Sequence, residues 1–441
     1  MTSASDQPRS GGRIGYLSAV SIGIGGMVGG GIFAVLGIAV QLSGKATPIA
    51  FLMAGMVALV TSYSYSKLSV RYPSEGGTVE FLNQAFGEGI LTGGMNVLLW
   101  LSYVVMLSLY AYAFGSYGSV FFPASVQTLM KHVLISGIVI LLTSLNIIGS
   151  RVVGKAEEWI VGFKLAILIT FIAFGIRGVG SQQLFSLAGS GPLQLLAGGM
   201  IIFLAYEGFE LIANTAKDVE DPGKTLPRAY YTAVGFVIIL YVLIAIVTVG
   251  NVSVDTIVQA KDYALAVAAK PFMGNIGFSL IAVAALLSTA SAINATLYGA
   301  SRVSYIIAKD GELPASLEKK IWNRPVEGLL ITSIFTLIIA NIFDLSSISI
   351  MGSAGFLLIF AGVNAANLVL SGKTNSSRVL SATGVFVCIV ALIALIWHTV
   401  TVSFNSIWIL IVMVASSFAV EAIYRSITGR RIKKIHKNNS K

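Results

Sequence analysis

Residues 18–40 read SAVSIGIGGMVGGGIFAVLGIAV, an apolar run interrupted by glycines at 25, 26, 29, 30 and 31. The run is long enough for a membrane helix, which needs about 20 mostly apolar residues. Each glycine costs a helix interior about 1 kcal/mol relative to alanine, so the cluster invites unwinding near the middle. Close packing against a second helix is the alternative, because Gly25/Gly29 and Gly26/Gly30 both fit a GxxxG spacing.

A second stretch tips that balance. Residues 198–216 read GGMIIFLAYEGFELIANTA and carry Glu207, Gly208 and Glu210 inside an apolar segment. A carboxylate at bilayer depth is costly and marks function by default. Gly29 and Gly208 stand 179 residues apart, and each falls in the first span of a five-span block. Two interrupted segments at matching places in two halves point to a transporter built from inverted repeats.

Composition agrees with a membrane protein. Of 441 residues, 56% are hydrophobic and 11% charged, and the mean hydropathy is +0.85. Soluble domains are charged at about 25% of positions, so an ordinary soluble enzyme is excluded. Spans are expected near 17–42, 47–70, 91–121, 133–149, 156–177, 192–216, 228–250, 273–307, 327–343, 347–371, 379–398 and 405–425. That is an all-α integral membrane fold of twelve helices. Residues 1–16 read as an N-terminal tail and 17–372 as a core of two repeats, 17–177 and 192–372. Residues 373–425 read as two peripheral helices and 426–441 as a basic tail.

Twelve spans put both ends on one side, and the loops of that side hold 23 of the 29 Lys and Arg. Among them are Lys67, Arg71, Arg151, Lys155, Lys224, Arg228, Lys319, Lys320 and Arg324. The opposite loops hold Lys45, Lys131, Arg177, Lys261 and Lys270. The positive-inside bias therefore assigns both ends to the cytoplasm and the protein to the cytoplasmic membrane. The tail GRRIKKIHKNNSK suits anionic headgroups, not nucleic acid. The N-terminal MTSASDQPRSGGR lacks the plan of a signal peptide.

The break itself suggests a ligand. Where the first span resumes, at Gly29, Gly30 and Gly31, backbone amides and a positive dipole end suit a carboxylate. Where the first halves of the two interrupted spans end, carbonyls at Met27 and at Phe203, Leu204 and Ala205 can accept from an ammonium. Donors on one side and acceptors on the other match an α-amino acid. Tyr206 or Phe209 can close over it or serve as packing. Glu207 either faces the cavity, favouring a cationic side chain, or faces the bundle; Glu210 is a gating, proton-linked or structural acid.

Lys164 lies in AEEWIVGFKLAILITFIAFGI, about eight residues, or roughly 12 Å, from the nearer end. A lysine at that depth either snorkels or sits as a buried ammonium whose charge is disfavoured, so that it can release its proton. The expected partners are a carbonyl near Gly25 and the hydroxyls of Ser288, Thr289 or Ser291. A charged Lys164 would tie the first and eighth spans together, and proton loss would loosen the tie.

No enzyme, cofactor or metal site is expected. The single Cys388 reads as an inert thiol, and His132, His398 and His436 form no metal motif. Trp100, Trp159, Trp322, Trp397 and Trp408 fall mostly near span ends, as interfacial anchors do.

GGMVGGGIF, FLAYEGFELIANTAKDVEDPGKTLPRA and SAINATLYGASRVSYIIAKDGELP together resemble the amino acid–polyamine–organocation (APC) superfamily over nearly the whole chain. With Lys164, ALAVAAKPFMGNIGF and AKDGELP, the chain is most similar to the archaeal proton-coupled, broad-specificity amino-acid transporters of that superfamily. The resemblance implies a LeuT-type 5+5 inverted repeat with discontinuous helices 1 and 6. It also implies that Lys164 carries the coupling proton in place of a sodium site. A carboxylate site at Gly29–Gly31, and an amine site at the carbonyls of Met27, Phe203 and Leu204, follow from it as well. Glu210 matches an acidic position of cationic-amino-acid members. Glu207 departs from the pattern, which expects an uncharged residue there. The function expected is uptake of amino acids by proton symport with alternating access. The alternative is amino-acid/amine or polyamine exchange without net proton coupling.

Overall fold

Inside a bilayer every backbone amide and carbonyl must find a partner within the protein, which leaves helices as the spanning element of choice. The computed structural model describes residues 14–87, 89–148, 153–180, 191–310, 326–402 and 404–428. Among them the chain is helical throughout, apart from short connections and one backbone pairing of Ile14 with Val219. Arg151, Lys319, Lys320, Trp322, Arg324, His436, most of both tails and the AKDGELP loop past Asp310 lie outside the described residues.

Among the described residues ten apolar helical stretches are long enough to cross a bilayer, and two more apolar helices, Tyr16–Met27 and Val326–Ile342, are shorter. The first of the short ones, α1 (Tyr16–Met27), is followed after three residues by α2 (Gly31–Ser43). At about 1.5 Å per residue neither alone would reach across roughly 30 Å of hydrocarbon. Then come α3 (Thr47–Arg71), α4 (Thr78–Phe86), α5 (Ile90–Ser119), α6 (Gln127–Ile148) and α7 (Val153–Gly175). Helix α8 (Pro192–Ile201) continues as a 3-10 helix over Ile202–Asp218 and leads to α9 (Pro222–Asn251) and α10 (Val254–Gln259). The chain continues with α11 (Ala264–Asp310), α12 (Val326–Ile342), α13 (Leu345–Val369), α14 (Ser371–Thr374), α15 (Arg378–Val402) and α16 (Phe404–Thr428).

Several features differ from the hydropathy reading. Helices α4 and α10 fall in connections, too short for an apolar window to register. In α4, Val79, Phe81 and Leu82 are buried against α5 and α13. Helix α11 starts at Ala264, ahead of the expected 273, and bends at Gly274, whose φ of 63° only glycine adopts cheaply. The second interrupted span is not unwound: it tightens from α to 3-10 at Ile202 and stays so for 17 residues. Such runs rarely exceed three or four residues and mark strain or a hinge. Trp100 is no interfacial anchor. It is buried, and its indole N–H donates to Thr332 Oγ1 of α12 at 3.0 Å. Trp159, Trp397 and Trp408 are exposed.

Helix α5 and the α8/3-10 unit are almost wholly enclosed, whereas α6, α7, α15 and α16 turn much of their apolar surface outward. The 3-10 segment packs on α1, α3 and α9, so the two irregular segments meet in the middle of the molecule.

Candidate functional site

A 3-10 helix has three residues per turn, so side chains at i and i+3 stack in rows. Three rows follow for 202–218, and each has its own neighbours. Ala205, Gly208 and Leu211 face the first span: a Cβ on Gly26 would stand 2.6 Å from the Gly208 carbonyl oxygen, and one on Gly31 would stand 2.7 Å from Ala205 Cα. Only glycine lets these two backbones touch. Phe203, Tyr206 and Phe209 form the aromatic row. Phe203 and Phe209 pack on Phe360, and Tyr206 packs on Tyr241 and donates to the Phe51 carbonyl at 2.9 Å. Leu204, Glu207 and Glu210 make the third row, towards α5 and α13.

Val28, Gly29 and Gly30 form the gap between α1 and α2. In the first turn of α2 the amides of Gly31, Ile32 and Phe33 have no carbonyl within the helix to bond. Tyr110 of α5 lies against this gap, its hydroxyl 3.5 Å from where a Cβ of Gly29 would stand, and Ala292 of α11 closes the other side. On the acceptor side, Tyr241 of α9 donates to the Met27 carbonyl at 2.6 Å and to the Ala205 carbonyl at 3.3 Å. One hydroxyl therefore links the end of α1 to the first turn of the 3-10 segment. At the α-to-3-10 junction, Ser353 of α13 donates to the Ile201 carbonyl at 2.8 Å and accepts from the Leu204 amide at 3.2 Å.

Lys164 is fully buried, and its Nζ donates to the Gly25 carbonyl at 3.2 Å, joining α7 to α1. The hydroxyl of Ser288 lies beside this point but donates to the Val28 carbonyl at 2.8 Å and to that of Gly29. Thr289 turns back to Ala285 and Leu286 of its own helix. Ser291 is half-buried on the following turn. Of the four expected partners, the structure brings Gly25 to Lys164 directly and brings Ser288 to the same stretch of span one.

The two acids differ. Glu210 is fully buried and accepts from the hydroxyls of Tyr103, on α5, and Thr78, on α4, the latter at 3.2 Å. Glu207 is 3% exposed, and its Oε2 is buried without a hydrogen-bond partner. Around the contact of the two spans stand a glycine-lined gap whose first amides have no partner within α2, carbonyls met by Tyr241, two carboxyl groups and a buried lysine. Donors and acceptors so arranged suit a small zwitterion, and among the described residues of this centre no nucleophile and base are paired for bond-breaking chemistry.

The sequence profile of amino acid permeases matches residues 14–422. The chain belongs to the amino acid permease family. It is 35% identical over 419 residues to an uncharacterised protein of Methanocaldococcus jannaschii, covering 95% of this chain and 96% of that one. It is 33% identical over 392 residues to the inner membrane transport protein YbaT of Escherichia coli, covering 87% and 90% of the two chains. With the serine/threonine exchanger SteT of Bacillus subtilis the identity is 28% over 309 residues, 68% of this chain and 69% of that one. The permease is thus a multi-pass membrane transporter of the amino-acid class and not an enzyme.

Tyr110, Tyr241, Tyr103, Thr78 and Ser353 of this permease escaped the sequence reading. A tyrosine deep in an apolar span is a signal of sorts, since its hydroxyl needs a partner. Nothing in the sequence, however, says which carbonyl or carboxylate it meets.

Proposed function

We propose that the permease imports amino acids across the cytoplasmic membrane by proton symport, with alternating access around the meeting point of its interrupted spans. The observation that carries this is the buried Lys164 ammonium on the Gly25 carbonyl, one residue before the close approach of Gly26 to Gly208. The substrate carboxylate takes the amides that open α2, near Gly29, Gly30 and Gly31. Its ammonium takes the second lone pairs of the carbonyls at Met27 and Ala205, with Phe203 and Leu204 beside them.

Protonated Lys164 holds α7 to α1 and fixes the gap; proton loss weakens the donor and lets α1 shift. Ser288 holds the Val28 and Gly29 carbonyls further along span one, so movement of α1 is passed to α11. The fold behind this proposal is the twelve-span bundle of two inverted repeats, 17–177 and 192–372, with both ends in the cytoplasm as the distribution of Lys and Arg favours.

A second reading, obligatory exchange of amino acids or amines, is favoured by the name of the Bacillus subtilis relative, a serine/threonine exchanger. Uptake of a panel of labelled amino acids into proteoliposomes, with and without an inward proton gradient, separates the two. Symport requires gradient-driven uptake in the wild type and loss of that drive in Lys164→Ala. Uptake that ignores the gradient but needs internal substrate selects exchange.

A further inference from the structure

Glu207 and Glu210 occupy one row of the 3-10 segment, a single turn apart, and their charges bear on each other. Their surroundings are unequal. Glu210 is satisfied by Tyr103 and Thr78, whereas Glu207 keeps a buried carboxylate oxygen with no partner. Among the described residues no ion pair involves Glu207. A carboxylate buried in that condition is costly, and a second one nearby makes it costlier. Such a group persists where something else completes it.

Its position says what that is. Glu207 adjoins Gly208, whose backbone touches Gly26, and its row turns towards α5, whose Tyr110 ring lies against the gap of span one. Glu207 therefore lies beside the proposed amino-acid site, on the row that faces the helix carrying Tyr110. We propose that Glu207 is a specificity-determining residue and that the substrate is a dibasic amino acid, whose side-chain cation it neutralises. The inference rests on transport of amino acids through this site. A neutral side chain would leave Oε2 unpartnered, and a hydroxyl would bond it without offsetting the charge. A diamine would leave the amides that open α2 without their carboxylate.

The test is competition for uptake in proteoliposomes, by arginine and lysine against alanine, leucine and a simple diamine. Thermal stabilisation of the purified protein by each compound gives a second readout. In the wild type the dibasic amino acids dominate both. In Glu207→Gln their advantage falls by roughly 100-fold, within the range for removing one member of a buried charge pair, while neutral amino acids gain or hold. Glu207→Asp keeps the charge, so it retains the preference with weaker affinity and stands in for the Gln variant should that fail to fold. Four outcomes overturn the proposal. They are a wild type that takes neutral amino acids as readily as dibasic ones, a Gln variant with unchanged preference, an Asp variant without preference, and a diamine competing as well as arginine. In each of these, transport by the wild type still stands; no uptake of any compound would instead overturn the transport reading itself.

Discussion

The hydroxyl of Ser353 sits inside the hydrogen-bond ladder of the sixth span, accepting from the Leu204 amide at 3.2 Å while donating to the Ile201 carbonyl at 2.8 Å. A 3-10 ladder would pair that amide with that carbonyl directly. The Ser353 hydroxyl engages both groups at the place where α8 changes to 3-10, and a side chain inserting at a helix ladder is a recognised cause of a helix irregularity. Side chains beyond the junction fall into three rows, Glu207 and Glu210 in one of them, so the Ser353 contact is expected to bear on how these acids are presented.

Ser353→Ala should therefore slow transport without unfolding the protein. Leaving the buried Ile201 carbonyl or Leu204 amide unpaired costs about 1–3 kcal/mol, so uptake is expected to fall about tenfold or more. Uptake kinetics and a melting curve run on the same preparation check this. Unchanged uptake would mean that the ladder closes on itself and that the hydroxyl does not hold the junction.

Gly31→Ala tests the backbone contact between the interrupted spans. The added Cβ would meet the Ala205 Cα at 2.7 Å, and main chain cannot rotate aside as a side chain does. Overpacking costs up to about 3 kcal/mol, and a loss of uptake of roughly 100-fold is expected. Gly137→Ala is the control, because no atom lies within 4 Å of the added carbon. It should transport normally and gain up to about 1 kcal/mol of helix propensity.

Part of this arrangement was legible and part was not, for physical reasons. The gap at Val28–Gly30 follows from the glycine cluster, since glycine is the residue that least favours continuing the helix. The depth of Lys164 follows from its place in an uninterrupted apolar run. The second irregular segment shows only as charges beside Gly208. At the start of its 3-10 stretch the Leu204 amide meets Ser353, 149 residues away, and no local pattern carries that. Tyr241 likewise reaches Met27 over 214 residues. Helix α4 was missed because it is nine residues long, yet it supplies the Thr78 hydroxyl to Glu210.

At the end of the bundle assigned to the cytoplasm, Glu75 pairs with Arg302 of α11 and lies 3.6 Å from Lys217 at the close of the 3-10 segment. Partial burial would raise the Glu75 carboxyl, but Arg302 and Lys217 outweigh it and hold it below the usual carboxylate range. A group lowered in the folded state adds stability above its unfolded value of about 4.3, and the gain is lost as pH falls through the lower folded value. The stability difference between wild type and Glu75→Gln should thus be present at pH 6–7, begin to fade near pH 4 and vanish only below the folded-state value. These side chains are about half exposed, so the difference should not exceed about 1 kcal/mol and should shrink in high salt. Melting curves against pH measure it; a difference that grows towards acid pH contradicts the assignment.

The opposite end carries a tighter cluster. Lys131 of α6 lies 3.0 Å from Asp262, and the Tyr112 hydroxyl of α5 is 2.6 Å from the ammonium and 3.2 Å from the same carboxylate oxygen. The ammonium also stands 3.8 Å from the centre of the Tyr112 ring. Asp262 belongs to the short turn Lys261–Tyr263, and the backbone of Lys261 rests on Gly37 of α2, so the cluster clamps that turn over the second half of the first span. With side-chain exposures of 20% and 26%, the pair is better shielded from solvent than the Glu75 cluster. Asp262→Asn leaves the ammonium without its counter-charge, and Lys131→Met leaves the carboxylate without its own. The double variant leaves neither, so the two single losses should sum to more than the double loss. The coupling should lie at about 1–2 kcal/mol, inside the range for residues in direct contact, and it should persist in salt that erases the Glu75 effect. A double-mutant cycle of melting curves at low and high salt decides it. Additive losses would mean that Tyr112 alone holds the turn.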